Sequence, residues 1–144
     1  MNPDPAGQLA GLPHGESFRF VDEVVALEPG KTGKGIYRIR GSEAFLEGHF
    51  PGNPIMPGVI LIESIAQLGG VVAQSDPVTG KLGELRLTAV RAAKILGEAR
   101  PGEILEIAAS VEGRMGGLVQ LDGQVTVNGQ MLASAKVVLS GSVE

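Results

Sequence analysis

The sequence predicts an α+β fold, a single domain in which a curved, mostly antiparallel sheet wraps one long central helix. Three observations predict it. A stretch from Gly58 to about Gln74 is apolar on nearly every side and too long for a typical strand. Four segments after it have strand character. The composition, with 22 glycines, 3% aromatic residues and no tryptophan, suits tight turns and an aliphatic core. A buried helix beside several strands can be covered only if the sheet curls around it. At 144 residues and 43% apolar side chains, the chain can build one core and has no room for a second domain.

In chain order, residues 1–11 hold two prolines and little periodicity and are expected to form a mobile end, with the folded domain spanning 12–144. Phe18 to Leu27 reads as a first strand ending at the turn signal Pro29-Gly30. Gly35 to Arg40 reads as a second, with alternating polar and apolar positions, and Ser42 is placed to cap a short helical turn over Glu43 to Leu46. Residues Gly48 to Gly58 contain three prolines and three glycines, which forbid both a helix and a central strand. Strands are then predicted over Glu84–Ile95, Glu103–Glu112, Gly117–Val127 and Gln130–Leu139, with Asn128-Gly129 as a two-residue hairpin turn.

Composition also narrows the function. The net charge of −4 and the absence of any basic run argue against a nucleic-acid binder. Without cysteine there is no thiol catalysis, thiolate metal site or disulfide. The polar amino terminus lacks the pattern of a secretory signal, so a cytoplasmic location is expected. The apolar run Val59–Ala73 is broken by Glu63, Ser64 and Gln67 and is shorter than a membrane span, which needs about 18 residues.

Glu63 lies in this apolar helix, where a carboxylate is costly unless partnered or protonated. It can be a structural group bonded to Gln67, one turn away on the same face, or a functional one. His49 sits in the preceding loop; the other histidine, His14, reads as a packing or capping residue. Gly58 opens the helix directly after Pro57, so its N–H has no partner within the helix and lies at the positive end of the macrodipole. It is either an oxyanion donor or a loop glycine required for an unusual dihedral. An imidazole, a carboxylate and a helix N-terminus within fifteen residues suit acid–base chemistry beside a carbonyl.

The run Gly48-His49-Phe50-Pro51-Gly52-Asn53-Pro54-Ile55-Met56-Pro57-Gly58-Val59, followed by Glu63-Ser64-Ile65-Ala66-Gln67, closely resembles the signature of the β-hydroxyacyl-acyl-carrier-protein dehydratases. Leu12-Pro13-His14 with Val21-Asp22, and Arg100-Pro101-Gly102-Glu103, resemble that family's opening and late turn, so the similarity spans nearly the whole chain. The resemblance implies a hotdog fold whose chains pair their sheets edge to edge, with active sites between the chains of a homodimer and a trimer of such dimers. It implies removal of water from a 3-hydroxyacyl chain on acyl carrier protein, with no cofactor. His49 would be the catalytic histidine, Glu63 the carboxylate from the partner chain, and Gly58 the donor to the thioester carbonyl. Glutamate at 63, where the related isomerase branch carries aspartate, points to dehydration without isomerisation. An acidic carrier protein would need a local basic surface, for which Arg86, Arg91, Lys94 and Arg100 are candidates. The chain departs from its relatives at Gly15-Glu16-Ser17, Leu85-Arg86-Leu87-Thr88 and Lys94-Ile95-Leu96-Gly97, a difference that bears on acyl-chain length. The alternatives are a hotdog thioesterase, which would activate water at the same carbonyl, and a non-catalytic acyl or carrier-protein binding module.

Overall fold

The computed structural model describes residues 15, 18–47, 52–79 and 81–143. The strands are β1 (Glu23–Glu28), β2 (Thr32–Arg38), β3 (Leu82–Ile95), β4 (Ile104–Met115), β5 (Leu118–Val127) and β6 (Gln130–Val143). A single turn, α1 (Ala44–Glu47), and the long helix α2 (Gly58–Gln74) lie between β2 and β3. The six strands form one antiparallel sheet in the order β1-β2-β4-β5-β6-β3. Its inner face curls around α2, giving the hotdog arrangement.

Helix α2 has the bounds its sequence predicts, because Pro57 sets the start and a continuous apolar surface holds the rest. Ile65, Leu68 and Val72 are fully buried against inward side chains such as Ile107, Leu121 and Val137. Replacing such a residue by alanine costs about 2–5 kcal/mol. Close contact between helix and sheet is made possible by glycine. A Cβ on Gly33 of β2 would sit 2.6 Å from Val72 Cγ2, and one on Gly123 of β5 would collide with Ile65. The far end of α2 is tied down by three hydrogen bonds: Ser75 Oγ accepts from Gly30 N and donates to Val72 O, and Arg114 of β4 donates to Ala73 O at 2.9 Å.

The first strand starts five residues later than predicted. The backbone of Phe18–Phe20 bonds to the side chain of Gln67 rather than to a neighbouring strand, and sheet-directed bonding begins with Asp22 N donating to Ile36 O at 2.7 Å. The second strand is shifted toward the Pro29-Gly30 turn, where Gly30 has φ 71°. Beside α1, the Glu43 carboxylate accepts from Gly41 N at 2.7 Å and from Arg40 N at 3.1 Å, two N–H groups ahead of the turn rather than inside it as a cap from Ser42 would use. Asn128 (φ 51°) and Gly129 (φ 80°) both lie in the left-handed region, forming the tight β5–β6 hairpin that the Asn-Gly pair predicts.

Strand β3 is long, lies at the edge of the sheet, and is exposed over most of its length. Its ladder with β6 is irregular at three places, and Glu84 and Ala92 adopt positive φ near two of them. Leu87, Val90 and Ile95 project from it into solvent.

Candidate active site

The loop preceding α2 is anchored by Ile55 and Met56, both buried, and by Met56 N donating to Ala99 O at 2.8 Å. Pro57 forms the N-cap with an extended backbone and no side-chain cap bond. The first N–H groups of α2 therefore have neither an acceptor within the helix nor a side-chain cap, and they concentrate its positive end. Gly58 occupies the first helical position. It is absent from the glycines with positive φ, so the dihedral explanation for it falls away. A Cβ there would lie 3.1 Å from two carbons of Ile95, close enough that this half-exposed side chain would have to shift.

Glu63 is half-buried. Helix α2 is not fully enclosed as its sequence suggests, for Val59 is 76% exposed in the first turn. Five residues place Gly58 and Glu63 about 140° apart around the helix axis. The N–H of Gly58 points along the axis at the start of α2, and Glu63 lies more than one turn further on.

The stripe Glu63, Gln67 and Gln74 is polar for more reasons than its spacing reveals. Gln67 is 1% exposed, and its Oε1 accepts from Phe20 N at 2.8 Å while its Nε2 donates to Phe18 O at 2.8 Å. The same Nε2 faces Glu63 Oε1 at 3.5 Å. Gln74 repeats the device at the other end, bonding both the N–H and the carbonyl of Leu82, each at 2.8 Å. Both glutamines thus dock chain segments onto the helix by pairing with one backbone donor and one acceptor. Sequence reasoning saw Gln67 only as a neighbour of Glu63; the available signal was an amide inside an apolar helix, which must find partners.

Phe18, Phe20, Phe45 and Tyr37 stack edge to face at centroid separations of 4.8–6.0 Å. They form part of a cleft of about 840 Å³ between the Phe18–Asp22 segment, α1 and Ile60 of α2. Tyr37 donates to Glu43 at 2.8 Å, and Arg40 pairs with Asp22 at 2.8 Å along its rim. His49 and His14 lie outside the described residues, as do Gly48, Phe50 and Pro51 of the signature. Of the candidate basic residues, Arg86 and Arg100 face Glu84 and Glu98, while Arg91 and Lys94 lie on the exposed part of β3. Among the described residues no cluster of three metal-ligating side chains occurs, and no helix is long and apolar enough to cross a membrane.

A sheet curled around one helix, with a carboxylate on that helix near its uncapped start, defines a hotdog-fold protein. The chain belongs to the FabA-like domain family, whose pattern matches residues 12–136. It is 39% identical over 131 residues to a 3-hydroxyacyl-[acyl-carrier-protein] dehydratase FabZ of Nitratiruptor, covering 88% of each chain. The FabZ dehydratase of Syntrophotalea carbinolica is 36% identical, covering 88% of this chain and 86% of the relative. Among solved structures, the dehydratase heterocomplex ApeI:P from Xenorhabdus doucetiae superposes with a TM-score of 0.78 at 16% identity, over 96% of this chain and 91% of that one. A hypothetical thioesterase with coenzyme A from Streptococcus pneumoniae has a TM-score of 0.65 at 14% identity, over 85% and 86% of the two chains. Both structural likenesses show the same fold.

Proposed function

We propose that the protein is a 3-hydroxyacyl-acyl-carrier-protein dehydratase of fatty acid or related acyl-chain synthesis, working in the cytoplasm as a homodimer with shared active sites. The observation that carries this reading is the 39% identity to a FabZ dehydratase over 88% of each chain, in a sequence that holds both His49 and Glu63. His49 removes the C2 proton, for which an imidazole with a pKa of about 6.5 is well matched near neutral pH. Electron density moves onto the thioester oxygen, where the Gly58 N–H and the helix dipole receive it. As the C2–C3 double bond forms, Glu63 gives a proton to the C3 hydroxyl, which leaves as water. The proton on His49 passes to solvent, and Glu63 regains one from it.

One feature supports a site shared between chains. Strand β3 offers a long edge with exposed apolar side chains, a surface suited to pairing with a second copy. Three such dimers would complete the assembly. Carrier protein would be steered by basic side chains near this edge, Arg91 and Lys94 among them.

Incubation with a 3-hydroxybutyryl or crotonyl thioester tests the reaction. Enoyl absorbance should change without release of free thiol. Thiol release without enoyl formation would identify a thioesterase, and neither signal a binding module.

A further inference from the structure

We propose that Ile95, the last residue of β3, is a specificity-determining residue that confines the enzyme to acyl thioesters unbranched at C2. The inference rests on the dehydratase reading given above and deepens it by naming the substrate class. Its basis is where a β-bulge puts one side chain. Val90 stands opposite the buried Val137 and Arg91 opposite Lys136, while further on Lys94 stands opposite Ser134 and Ile95 opposite the buried Ala133. Between Arg91 and Lys94 the strand sets two residues, Ala92 and Ala93, against Ala135 alone, and Ala92 takes φ 49°. Without that extra residue Ile95 would share the outward face of Arg91, four positions back; with it, Ile95 turns toward α2. There its Cγ1, Cγ2 and Cδ1 lie 3.1–3.2 Å from the place that a Cβ on Gly58 would take. In a helix the Cα–Cβ bond tilts toward the N-terminus, so Ile95 flanks the space into which the Gly58 N–H points.

The backbone beneath this side chain is held at both ends of the segment: Leu96 N donates to Leu132 O at 2.7 Å, and Ala99 O accepts from Met56 N, ahead of α2, at 2.8 Å. Turning χ1 does not open the wall, because both γ carbons face Gly58 and every staggered rotamer leaves one of them there. Ile95 is 51% exposed, and the open half is the part that an arriving thioester would cover. A thioester held by its oxygen at Gly58 sends its sulfur out toward the carrier protein and leaves C2 to fit against the fold. His49 takes one hydrogen from C2, and the remaining position there has room for a second hydrogen beside Ile95 but not for a methyl group.

The test uses the full-length protein in its native assembly, given 3-hydroxybutyryl and 2-methyl-3-hydroxybutyryl thioesters of N-acetylcysteamine in one tube. Each loses its C2 proton and C3 hydroxyl as one water, so the ratio of the two enoyl products reads the ratio of kcat/KM. Loss of folded or paired protein lowers both rates and cancels from that ratio, as does the intrinsic reactivity of each substrate when variants are compared with wild type. Wild type should favour the unbranched thioester, and Ile95→Ala should reduce that preference on the order of tenfold, the usual worth of a methyl-sized space in an apolar pocket. Ile95→Val, which removes Cδ1 and keeps the β-branch, should shift it in the same direction by less, and it decides the matter should Ile95→Ala not fold. A preference in the folded variants equal to that of wild type would overturn the proposal, as would a wild type that turns over both thioesters equally. Wild-type protein inactive on both would instead sink the dehydratase reading, and this one with it.

Discussion

Glu43 and Tyr37 show how one carboxylate organises the rim of the cleft. Burial pushes the Glu43 carboxyl up, but hydrogen bonds from Arg40 N, the Tyr37 hydroxyl and Gly41 N outweigh it and hold the group below its ordinary 4.5. The fold thus favours the ionised form. Its stabilisation is present above about pH 4.5 and is lost as pH falls below that value. Tyr37 moves the other way: burial first, then the bond and charge of Glu43, raise its phenol well above 10.0. Its contribution is complete below about pH 10 and is lost as pH rises through the higher folded value. Tyr37→Phe keeps the ring against Phe20 and under Arg40 but deletes the donor to Glu43. Urea unfolding at neutral pH should show a loss of about 1 kcal/mol. Repeated at about pH 4, the difference between variant and wild type should shrink, because Glu43 then loses part of its own advantage. A difference that grows on acidification would contradict this account.

Strand β3 is the element whose exposure matters most. Its neighbours on one side are the residues of β6, whereas its other side has no strand among the described residues. A fourteen-residue edge carrying Leu87, Val90 and Ile95 in solvent is a template for another strand. Replacing both Leu87 and Val90 by lysine adds charge without touching the core, since each is already more than a third exposed. If the proposed dimer pairs along β3, sedimentation should find this variant monomeric at concentrations where the wild type sediments as a dimer. Turnover should fall with the dimer fraction, because each proposed site needs two chains. A double variant that stays dimeric would move the interface elsewhere.

The proposed shared site makes a further demand on the assembled protein. Neither His49→Ala nor Glu63→Gln should be active alone, the latter keeping the shape and hydrogen-bonding capacity of the side chain. Unfolded and refolded together, they pair at random, so about half the dimers are mixed, each with one intact and one doubly damaged site. Roughly a quarter of wild-type activity should return. If both variants are folded by circular dichroism and exchange subunits, yet the mixture is inactive, the two residues do not meet across a dimer.

Local signals made much of this protein legible from its residues alone. Pro57 and a largely apolar surface marked α2 from Gly58 to about Gln74, and Asn128-Gly129 defined the β5–β6 hairpin, because both depend on backbone preferences within a few positions. The signature around Glu63 likewise named the family that the comparison with relatives establishes. The true start of β1 was not legible, because the Phe18–Phe20 backbone is claimed by Gln67, more than forty residues away. Spacing could not show that Gly58 lies against Ile95, nor that Gly33 and Gly123 admit the helix. The strand order β1-β2-β4-β5-β6-β3, which leaves β3 at the edge, was likewise beyond it. Each of these is set by a contact between segments distant in the chain. Such contacts exist only after collapse, when buried polar groups must find partners and packed surfaces must fit.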